Sequence, residues 1–522
     1  MPNFNGPGLP SALLMGLSFL GILSGYWTIL KHTSLFTGLV TATLAEAQEP
    51  LQITPEALNP QLTNIVENET VTIYYNGTGP VPDDDLRSPA PEPITPLNSI
   101  SLIEDAFFDD LRAIADSVTY SDACSKCIAG VQLLHLAAIT QPVSTATNLL
   151  IRACHAIPPF QRGVPAATCE SEFDEAGGLG PYYAQLLSKM SLATGDMTAL
   201  CAYHYNVCDE SPPIEIDEDL YFTPKPPSAD LVPPPSGEAV NVLHLSDWHL
   251  DPRYDIGSEA NCTNALCCRS HSKNDDLDTD KKNPSVPASR FGSFLCDSPA
   301  DLALSALSNM ADFVDMADLS FSIFTGDIVS HDLDDALSRA YVSYEEEITF
   351  EIFKTMLGDT PVYVTLGNHD SLPVAFHTQH SLNPNPRDAS TNALAWNYDL
   401  VSSLWLQHSW INESEAEFAR THYGAYASTT TQGLRVISIN TDFWYRSNIF
   451  NFWNVTNPDT SGILKWLADE LSDCEARGQR AWIIGHVLSG YDGEAPLPNP
   501  TALFYSIVRR FSPATIAGIF FG

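Results

Sequence analysis

The sequence has little positive charge. It carries 25 lysine and arginine residues against 64 aspartate and glutamate residues, which gives a net charge of −39 at pH 7 over 522 residues. Nucleic acids are bound through basic surfaces, so this balance argues against a nucleic-acid partner. The acidic residues do not form one block, which suits a soluble secreted protein, or one that works at low pH where carboxylates partly neutralise.

Long apolar segments are absent from the chain after its N-terminal region. No segment there has the roughly 18 continuous apolar residues of a membrane span. The N-terminus itself is apolar over residues 11–30 and 35–44, and Ala-Glu-Ala at residues 45–47 has the small-x-small form of a signal-peptidase site. Residues 1–47 therefore predict a cleaved signal peptide. The alternative is a signal anchor formed by residues 11–30.

The eleven cysteines fall into groups of six, four and one. Even-numbered groups behind a secretory signal predict disulfides, although Cys124 and Cys127 also have the spacing of a zinc finger. Five Asn-x-Ser/Thr sequons agree with the secretory route and predict a glycoprotein that is secreted or delivered to a lysosome or vacuole. The predicted glycosylation sites are Asn68, Asn76, Asn261, Asn412 and Asn454. The cysteine groups are Cys124, Cys127, Cys154, Cys169, Cys201 and Cys208, then Cys262, Cys267, Cys268 and Cys296, and finally Cys474.

Composition divides the remaining chain into four regions. Residues 48–100 are polar and rich in Pro and Asp, which predicts an unstructured spacer. Apolar residues at helical spacing predict a small helical domain over residues 101–210, and the eight prolines of residues 211–238 predict a semi-rigid linker. From residue 239 to 522, short apolar strands alternate with helical stretches, which predicts an α/β domain. Its predicted strands are 240–245, 319–324, 362–366, 434–439 and 481–484, and its predicted helices are 300–316, 337–357 and 463–477.

Four polar motifs follow strands of this α/β domain. Open α/β sheets place their sites at the carboxyl ends of strands. Asp247 and His249 are two residues apart, so they can share a metal, and Gly326 lets the chain turn tightly at Asp327. Asp, His and Asn ligands suit zinc or a similar ion, and two ions bridged by one carboxylate can clamp both oxygens of a phosphoryl displacement. The motifs lie at residues 243–251, 324–332, 365–370 and 482–486.

The specificity of these motifs differs. Asp-x-His after a strand is common, and Gly-Asp is an ordinary turn. The segment 367–370, Gly-Asn-His-Asp, is more specific because several polar groups behind an apolar strand are costly unless they are used. Together and in this order, the motifs resemble the calcineurin-like metallophosphoesterase superfamily, from about Val240 to the end of the chain.

Within that superfamily the chain is similar to acid sphingomyelinase and its phosphodiesterase-like relatives, which place a saposin-like domain and a proline linker before the phosphoesterase. His331, four residues after Asp327, also matches this group. The resemblance implies an α/β metallophosphoesterase domain with layered β-sheets flanked by helices, preceded by a small all-α, disulfide-stapled saposin-like domain. The implied disulfides are Cys124–Cys208, Cys127–Cys201, Cys154–Cys169, Cys262–Cys267 and Cys268–Cys296.

The resemblance also implies a centre of two Zn²⁺ ions bridged by Asp327. His369 and His331 are the implied proton donors to the leaving alkoxide, a role that imidazoles fill best at mildly acidic pH. The implied metal ligands are Asp247, His249 and Asp327 for the first ion, and Asp327, Asn368 and His486 for the second.

By this resemblance the expected reaction is hydrolysis of sphingomyelin to ceramide and phosphocholine, by a monomer at a membrane surface. Two alternatives stay open: a phosphodiesterase for nucleotide-type substrates, and a non-catalytic or impaired lipid-binding secreted protein on the same fold. A purple acid phosphatase is disfavoured, because the second motif lacks the tyrosine ligand of that group.

The family completes its metal site with a Gly-His-x-His motif, which is expected where this sequence stops at Gly522. The expectation is a truncated form of an active enzyme; the alternative is a short form with weakened catalysis. Cys474 would then pair with a cysteine in the missing part, or be a free thiol.

Overall fold

In the computed structural model, residues 251–309 form one compact unit, and the other described residues from 61 onward form a second. The predicted signal segment 1–47, Asn68 and Asn76 lie outside the described residues. The described residues are 61–64, 69–72, 100–157, 169–174, 178–232, 234, 237–276, 284–382, 394–490 and 496–522.

Helices and strands follow each other in the order that the sequence periodicities indicate. The helices are α1 Ile100–Asp116, α2 Ala123–Thr140, α3 Val143–Ala156, α4 Cys169–Phe173, α5 Gly180–Lys189, α6 Asp196–Ala199, α7 Ala300–Ser308, α8 Arg339–Leu357, α9 Ala395–Gln407, α10 Glu413–Thr421, α11 Ile463–Arg477 and α12 Pro498–Phe511. The strands are β1 Gln61–Asn64, β2 Glu69–Thr72, β3 Asn241–Leu245, β4 Leu319–Phe324, β5 Val362–Val364, β6 Tyr426–Thr429, β7 Arg435–Ser438, β8 Ala481–Ile484 and β9 Ile516–Phe520.

The largest differences from the predictions are in two places, and the other predicted bounds agree with the structure to within about two residues. The helix predicted over residues 300–316 ends at Ser308, because Asn309 folds back and its amide donates to Ser305 O. In the predicted spacer 48–100, the described residues form β1 and β2, which pair antiparallel. The rest of the spacer prediction falls on residues that the structure does not describe.

Helices α1 to α6 form the helical part of the larger unit. Asp122 begins α2 by accepting a hydrogen bond from Ser125 N, and Val131, Leu134 and Ala137 line the buried face of that helix. Helix α2 is the one described helix that is long and apolar enough to cross a membrane. In this structure one face of the helix is buried, and both of its cysteines form disulfides. The helical part contains the bonds Cys124–Cys208, Cys127–Cys201 and Cys154–Cys169.

The apolar core of the helical part continues into the α/β part. Phe376, Phe450 and Phe452 of the α/β part belong to the same buried cluster as the helical residues. The Tyr182 and Phe376 rings meet edge to face, with centroids 5.9 Å apart. The helical part is therefore packed against loops of the α/β part and shares its core.

Two β-sheets pack face to face in the α/β part. Strands β3, β4 and β5 form a parallel sheet, and the second sheet has the order β6-β7-β8-β9, with only β6 antiparallel to its neighbour. Phe321 of β4 contacts Trp482 of β8, with ring centroids 5.5 Å apart. Val364 N donates to the Tyr426 hydroxyl at 2.8 Å, which joins β5 to β6. Phe353 of α8 packs on the outer face of the first sheet.

The unit of residues 251–309 has little apolar core and is held by polar and covalent contacts. Asp251 and Arg269 form a buried ion pair of 2.9 Å. Glu259 accepts hydrogen bonds from backbone N–H groups, and although burial opposes ionisation, these donors lower its pKa to about 2. The disulfides of this unit are Cys262–Cys267 and Cys268–Cys296. In the larger unit, Cys474 is a buried free thiol, and burial raises its pKa.

Three consecutive glutamates, Glu345, Glu346 and Glu347, are fully buried in α8. Glu345 accepts a hydrogen bond from Ser330 N. Burial raises the pKa of Glu346 well above its ordinary value and raises that of Glu347 from 4.5 to about 9. A carboxyl group with a raised pKa keeps its proton in the fold. Its contribution to stability is therefore complete below pH 4.5 and is lost as the pH rises towards 9.

We predict that Glu347→Gln makes the protein more stable at neutral pH, because the amide cannot ionise. From about pH 5 to about pH 8 the stability advantage of the variant should grow by up to about 1.4 kcal/mol per pH unit. Thermal unfolding of both proteins across this range measures it, with Glu413→Gln on the surface of α10 as control. An advantage that does not change with pH would contradict the buried, protonated carboxyl.

Candidate metal centre

The four predicted motifs meet at the carboxyl ends of β3, β4, β5 and β8. The ligand atoms of Asp247, Asp327 and His486 lie within 4.8 Å of one another. The ring nitrogens of His249, His331 and His369 form a second group of the same size. Asn368 joins the first group, since its Oδ1 is 3.1 Å from His486 Nε2. All seven predicted residues are thus in one polar centre.

The backbone at this centre adopts conformations that ordinary residues rarely take. Asp247, His249 and Asp327 have positive φ angles of 54°, 39° and 64°. Such angles are uncommon outside glycine, and they concentrate at functional sites where the surrounding structure enforces them. The backbone is therefore bent so that these three side chains point into the centre.

Two glycines let the second and third motif loops approach closely. A Cβ on Gly326 would lie 2.4 Å from Gly367 N, and a Cβ on Gly367 would lie 2.1 Å from Asp327 Oδ1. Neither position has room for a side chain. Glycine is therefore required at position 326 for two reasons: the close approach of Gly367, and the φ angle of 93° at Gly326.

Asp327 lies at the middle of the centre. His369 N donates to Asp327 Oδ1 at 2.8 Å, which leaves Oδ2 for the imidazoles. His249 Nε2 is 3.3 Å and His486 Nε2 is 3.2 Å from that oxygen. One buried carboxylate oxygen therefore faces two ring nitrogens from two different sheets.

The hydrogen bonds of these two histidines favour a cation between them. The Nδ1 atoms of His249 and His486 each lie 2.8 Å from a backbone carbonyl oxygen, of Val329 and Thr325 respectively. A carbonyl oxygen only accepts, so Nδ1 carries the proton and a neutral ring has its lone pair on Nε2. Both lone pairs would then face Asp327 Oδ2 and repel it. A metal ion, or an added proton, removes the repulsion, and the N and O donor set fits a divalent metal ion.

Electrostatics in the centre favour positive charge. Burial alone would lower the pKa of His486, but the Asp327 carboxylate outweighs burial and raises this pKa to about 10. In turn, although burial favours its neutral form, the neighbouring histidines hold the pKa of Asp327 well below its ordinary value. Since metal ligands must be deprotonated, metal binding here should release protons.

Two residues that sequence reasoning did not assign hold the ligands in place. Asp370 accepts hydrogen bonds from the backbone N–H groups of Asp327, Ile328 and Gly367, at 2.9, 2.6 and 2.8 Å, which ties two motif loops together. Burial and the Asp327 carboxylate raise the pKa of Asp370 to about 6. The only sequence signal for this role is its place in the Gly-Asn-His-Asp motif.

Thr441 is the second unassigned residue. Its Oγ1 accepts from His486 N at 3.1 Å and from Val487 N at 2.7 Å, so it fixes the loop that carries His486. The polar pair Asn440 and Thr441, one residue beyond the end of strand β7, is the signal that could have found it.

The implied proton donors lie beside this centre. The His331 ring stands 3.9 Å from the His249 ring and 4.4 Å from the His369 ring, centroid to centroid. The assignment of ligands to individual ions stays a prediction. Asp247, implied with His249 for the first ion, forms a group with Asp327 and His486 in the structure, whereas His249 forms a group with His331 and His369.

The three predicted glycosylation sites among the described residues lie on or near the surface. Asn261 and Asn412 are exposed, and Asn454 is half-buried. Asn412 begins α10, where its side-chain oxygen accepts from Glu415 N. Glycan attachment uses the amide nitrogen, so capping by the oxygen does not prevent it.

The part of the chain that contains this centre is similar to known phosphoesterases. Residues 240–490 match the calcineurin-like phosphoesterase family. Sphingomyelin phosphodiesterase 2 of Caenorhabditis elegans is 31% identical over 307 residues, which are 55% of this chain and 46% of that protein. Sphingomyelin phosphodiesterase of Bos taurus is 34% identical over 285 residues, 54% of this chain and 41% of that protein. Acid sphingomyelinase-like phosphodiesterase 3b of Mus musculus is 32% identical over 253 residues, 48% of each chain. The chain spans about half the length of these curated relatives, or less.

We predict that Asp327→Ala removes metal from both positions, because its carboxylate faces ligands on both sides. His249→Ala should remove about one ion, and Lys354→Ala, on the surface of α8, should remove none. Elemental analysis of the purified variants gives the metal content per chain. Equal losses in Asp327→Ala and His249→Ala would contradict a bridging Asp327.

We also predict that Thr441→Val weakens metal binding about tenfold or more, because two buried N–H groups lose their acceptor, at about 1–3 kcal/mol each. Thr441→Ser keeps the hydroxyl and should bind metal like the parent. Competition with a metal chelator measures the affinity. If valine and serine variants behave alike, the hydroxyl does not position His486.

Proposed function

We propose that the chain belongs to the family of acid sphingomyelinases and acid sphingomyelinase-like phosphodiesterases, to which it is similar over about half of its length, and that it hydrolyses phosphodiesters at a centre of two divalent metal ions. The observation that carries the proposal is the approach of His249 Nε2 and His486 Nε2 to the same oxygen of Asp327. Ligands that approach one carboxylate from two sides are what a pair of bridged ions needs. We propose Zn²⁺ for both positions, because imidazole and carboxylate ligands suit it.

When bound, the two ions would polarise the phosphoryl oxygens and supply a nucleophilic water. The residues of the chain orient the rest of the reaction. The His369 backbone is fixed by its hydrogen bond to Asp327, and its ring faces the His331 ring. We assign to these two imidazoles the transfer of a proton to the leaving alkoxide, as the bond from phosphorus to the new oxygen forms and the bond to the alkoxide breaks.

Sphingomyelin is the proposed substrate, because relatives named sphingomyelin phosphodiesterase are 31% and 34% identical over 55% and 54% of this chain. Ceramide is then the leaving alkoxide and phosphocholine the second product. The protein would act on a membrane surface, as a monomer, outside the cell or in a lysosome or vacuole. The predicted glycosylation sites and the five disulfides of the structure support that location.

A non-catalytic lipid-binding protein is the rival hypothesis, and a phosphodiesterase for nucleotide-type substrates is the second. Turnover of any phosphodiester would distinguish our proposal from a non-catalytic lipid-binding protein. Comparison of the turnover rates on sphingomyelin and on a nucleotide diester would distinguish it from a nucleotide-type phosphodiesterase. The strained backbone at Asp247, His249 and Asp327 favours catalysis over lipid binding alone, because a binding module has no need of it.

We predict that the leaving group decides the effect of the histidine variants. His369→Ala and His331→Ala should each lower sphingomyelin turnover about 100-fold or more, because the ceramide alkoxide needs a proton. Turnover of bis(4-nitrophenyl) phosphate should fall far less, since nitrophenolate leaves without one. His155→Ala, on the surface of α3, is the control.

Metal chelation should abolish turnover of both substrates, and addition of Zn²⁺ should restore it. Absence of turnover of either substrate by the metal-loaded protein would overturn the proposed function. Equal losses on both substrates would remove His369 and His331 from the role of proton donors.

A further inference from the structure

The unit of residues 251–309 carries an exposed apolar tip at residues 290–295. Phe294 is fully exposed at 101% of its reference surface, and Phe291 and Leu295 are 54% and 51% exposed. Three large apolar side chains within five residues form a patch, and such patches on soluble proteins mark interaction sites. We propose that this tip inserts into the lipid surface on which the enzyme acts; the choice of a lipid surface as partner rests on the proposed function.

The tip is held in a fixed shape. Ser289 and Gly292 close one turn, with Gly292 at a positive φ of 98°, and Cys296 N donates to Ser293 O at 3.1 Å to close the next. The disulfide Cys268–Cys296 fastens the base. A segment fixed in this way cannot fold its phenylalanines inward to escape water.

A fixed shape also lowers the entropy that insertion must overcome. The aromatic and aliphatic side chains of the tip are presented before contact, as in other preorganised binding surfaces. On the other side of the tip, the Tyr254 hydroxyl donates to Ser289 O at 2.7 Å, which adds a second anchor.

Charge distinguishes a lipid surface from other partners. Residues 281–296 contain three basic residues and no acidic residue, in a chain that has 64 acidic residues. Most of the protein surface is therefore repelled by anionic lipid headgroups, whereas this segment is not. Arg290 lies next to Phe291, with its guanidinium carbon 5.5 Å from the ring centroid. It is also paired with Asp301 at 2.7 and 3.1 Å, so the positive charge of the segment rests on Lys281 and Lys282 of its sequence. Apolar side chains flanked by basic ones are the pattern of membrane-interface segments.

Phe313 of the larger unit provides a matched control. It is 76% exposed, more than Phe291, but Asp312 and Asp315 flank it. A phenylalanine that is exposed in acidic surroundings should not favour a lipid surface. The same substitution at the two places therefore separates the effect of the tip from the general effect of removing an exposed aromatic ring.

The test compares vesicle binding of the full chain and three variants: Phe294→Ser, Phe291→Ser with Phe294→Ser, and Phe313→Ser. Cosedimentation with vesicles of equimolar phosphatidylcholine and sphingomyelin, with and without phosphatidylserine, gives the partition constant. A phenylalanine side chain that moves from water into lipid contributes strongly to the partition constant. The partition constant of the double variant should therefore be lower by about tenfold or more, and that of Phe294→Ser should lie between the double variant and the parent. Phe313→Ser should bind like the parent.

Activity on a soluble substrate separates this proposal from the proposed function. The double variant should hydrolyse bis(4-nitrophenyl) phosphate at the parent rate, which also shows that it is folded. If the chain has no turnover at all, the proposed function fails, and vesicle partition still tests the tip. Unchanged vesicle binding of the double variant, or an equal loss in Phe313→Ser, would overturn the proposal. Such a result would leave a protein partner as the occupant of the tip.

Discussion

The carboxylate of Asp327 is the group on which the rest of this structure depends. It is buried, it faces His249 and His486 with one oxygen, and its other oxygen is held by a backbone N–H. A buried carboxylate surrounded by nitrogen and oxygen ligands is unstable without compensating charge. The positive φ at Asp327, the absence of a side chain at Gly326 and Gly367, and the three N–H donors to Asp370 all serve to place it.

The pairing of two sheets explains why such a centre can form. Asp327 follows β4 of the first sheet, and His486 follows β8 of the second. The His486 ring reaches across to Thr325 O, so the ligand is oriented by the opposite sheet. Any movement between the sheets would change the distance from His486 to Asp327, and therefore the spacing of the metal ions. The contact of Phe321 with Trp482 resists that movement.

Much of the fold could be predicted from the sequence, because buried strands read as short apolar runs. All five predicted strands are present within a few residues, and so are the helices Arg339–Leu357 and Ile463–Arg477. Strand β6 was missed because Tyr-Ala-Ser-Thr is not an apolar run, and it is specified by its pairing with β7. Strand β9 was missed because Gly518 interrupts its pattern.

For the centre, polar residue types at strand ends pointed to side chains that the structure brings together, whereas their roles as ligands and proton donors stay predictions. The supports were not predictable in the same way. Thr441 acts through a hydroxyl that accepts two N–H groups 45 and 46 residues further along the chain, a relation that no local pattern shows. The buried glutamates of α8 were also missed, because charged residues in a helix are ordinarily read as its solvent face.

Anomalous X-ray diffraction from crystals of the Zn²⁺-loaded protein tests the central claim most directly. The account predicts two anomalous peaks at the zinc edge, one on each side of Asp327, with His249 and His486 on different ions. A single peak, or two peaks that do not share Asp327, would contradict it.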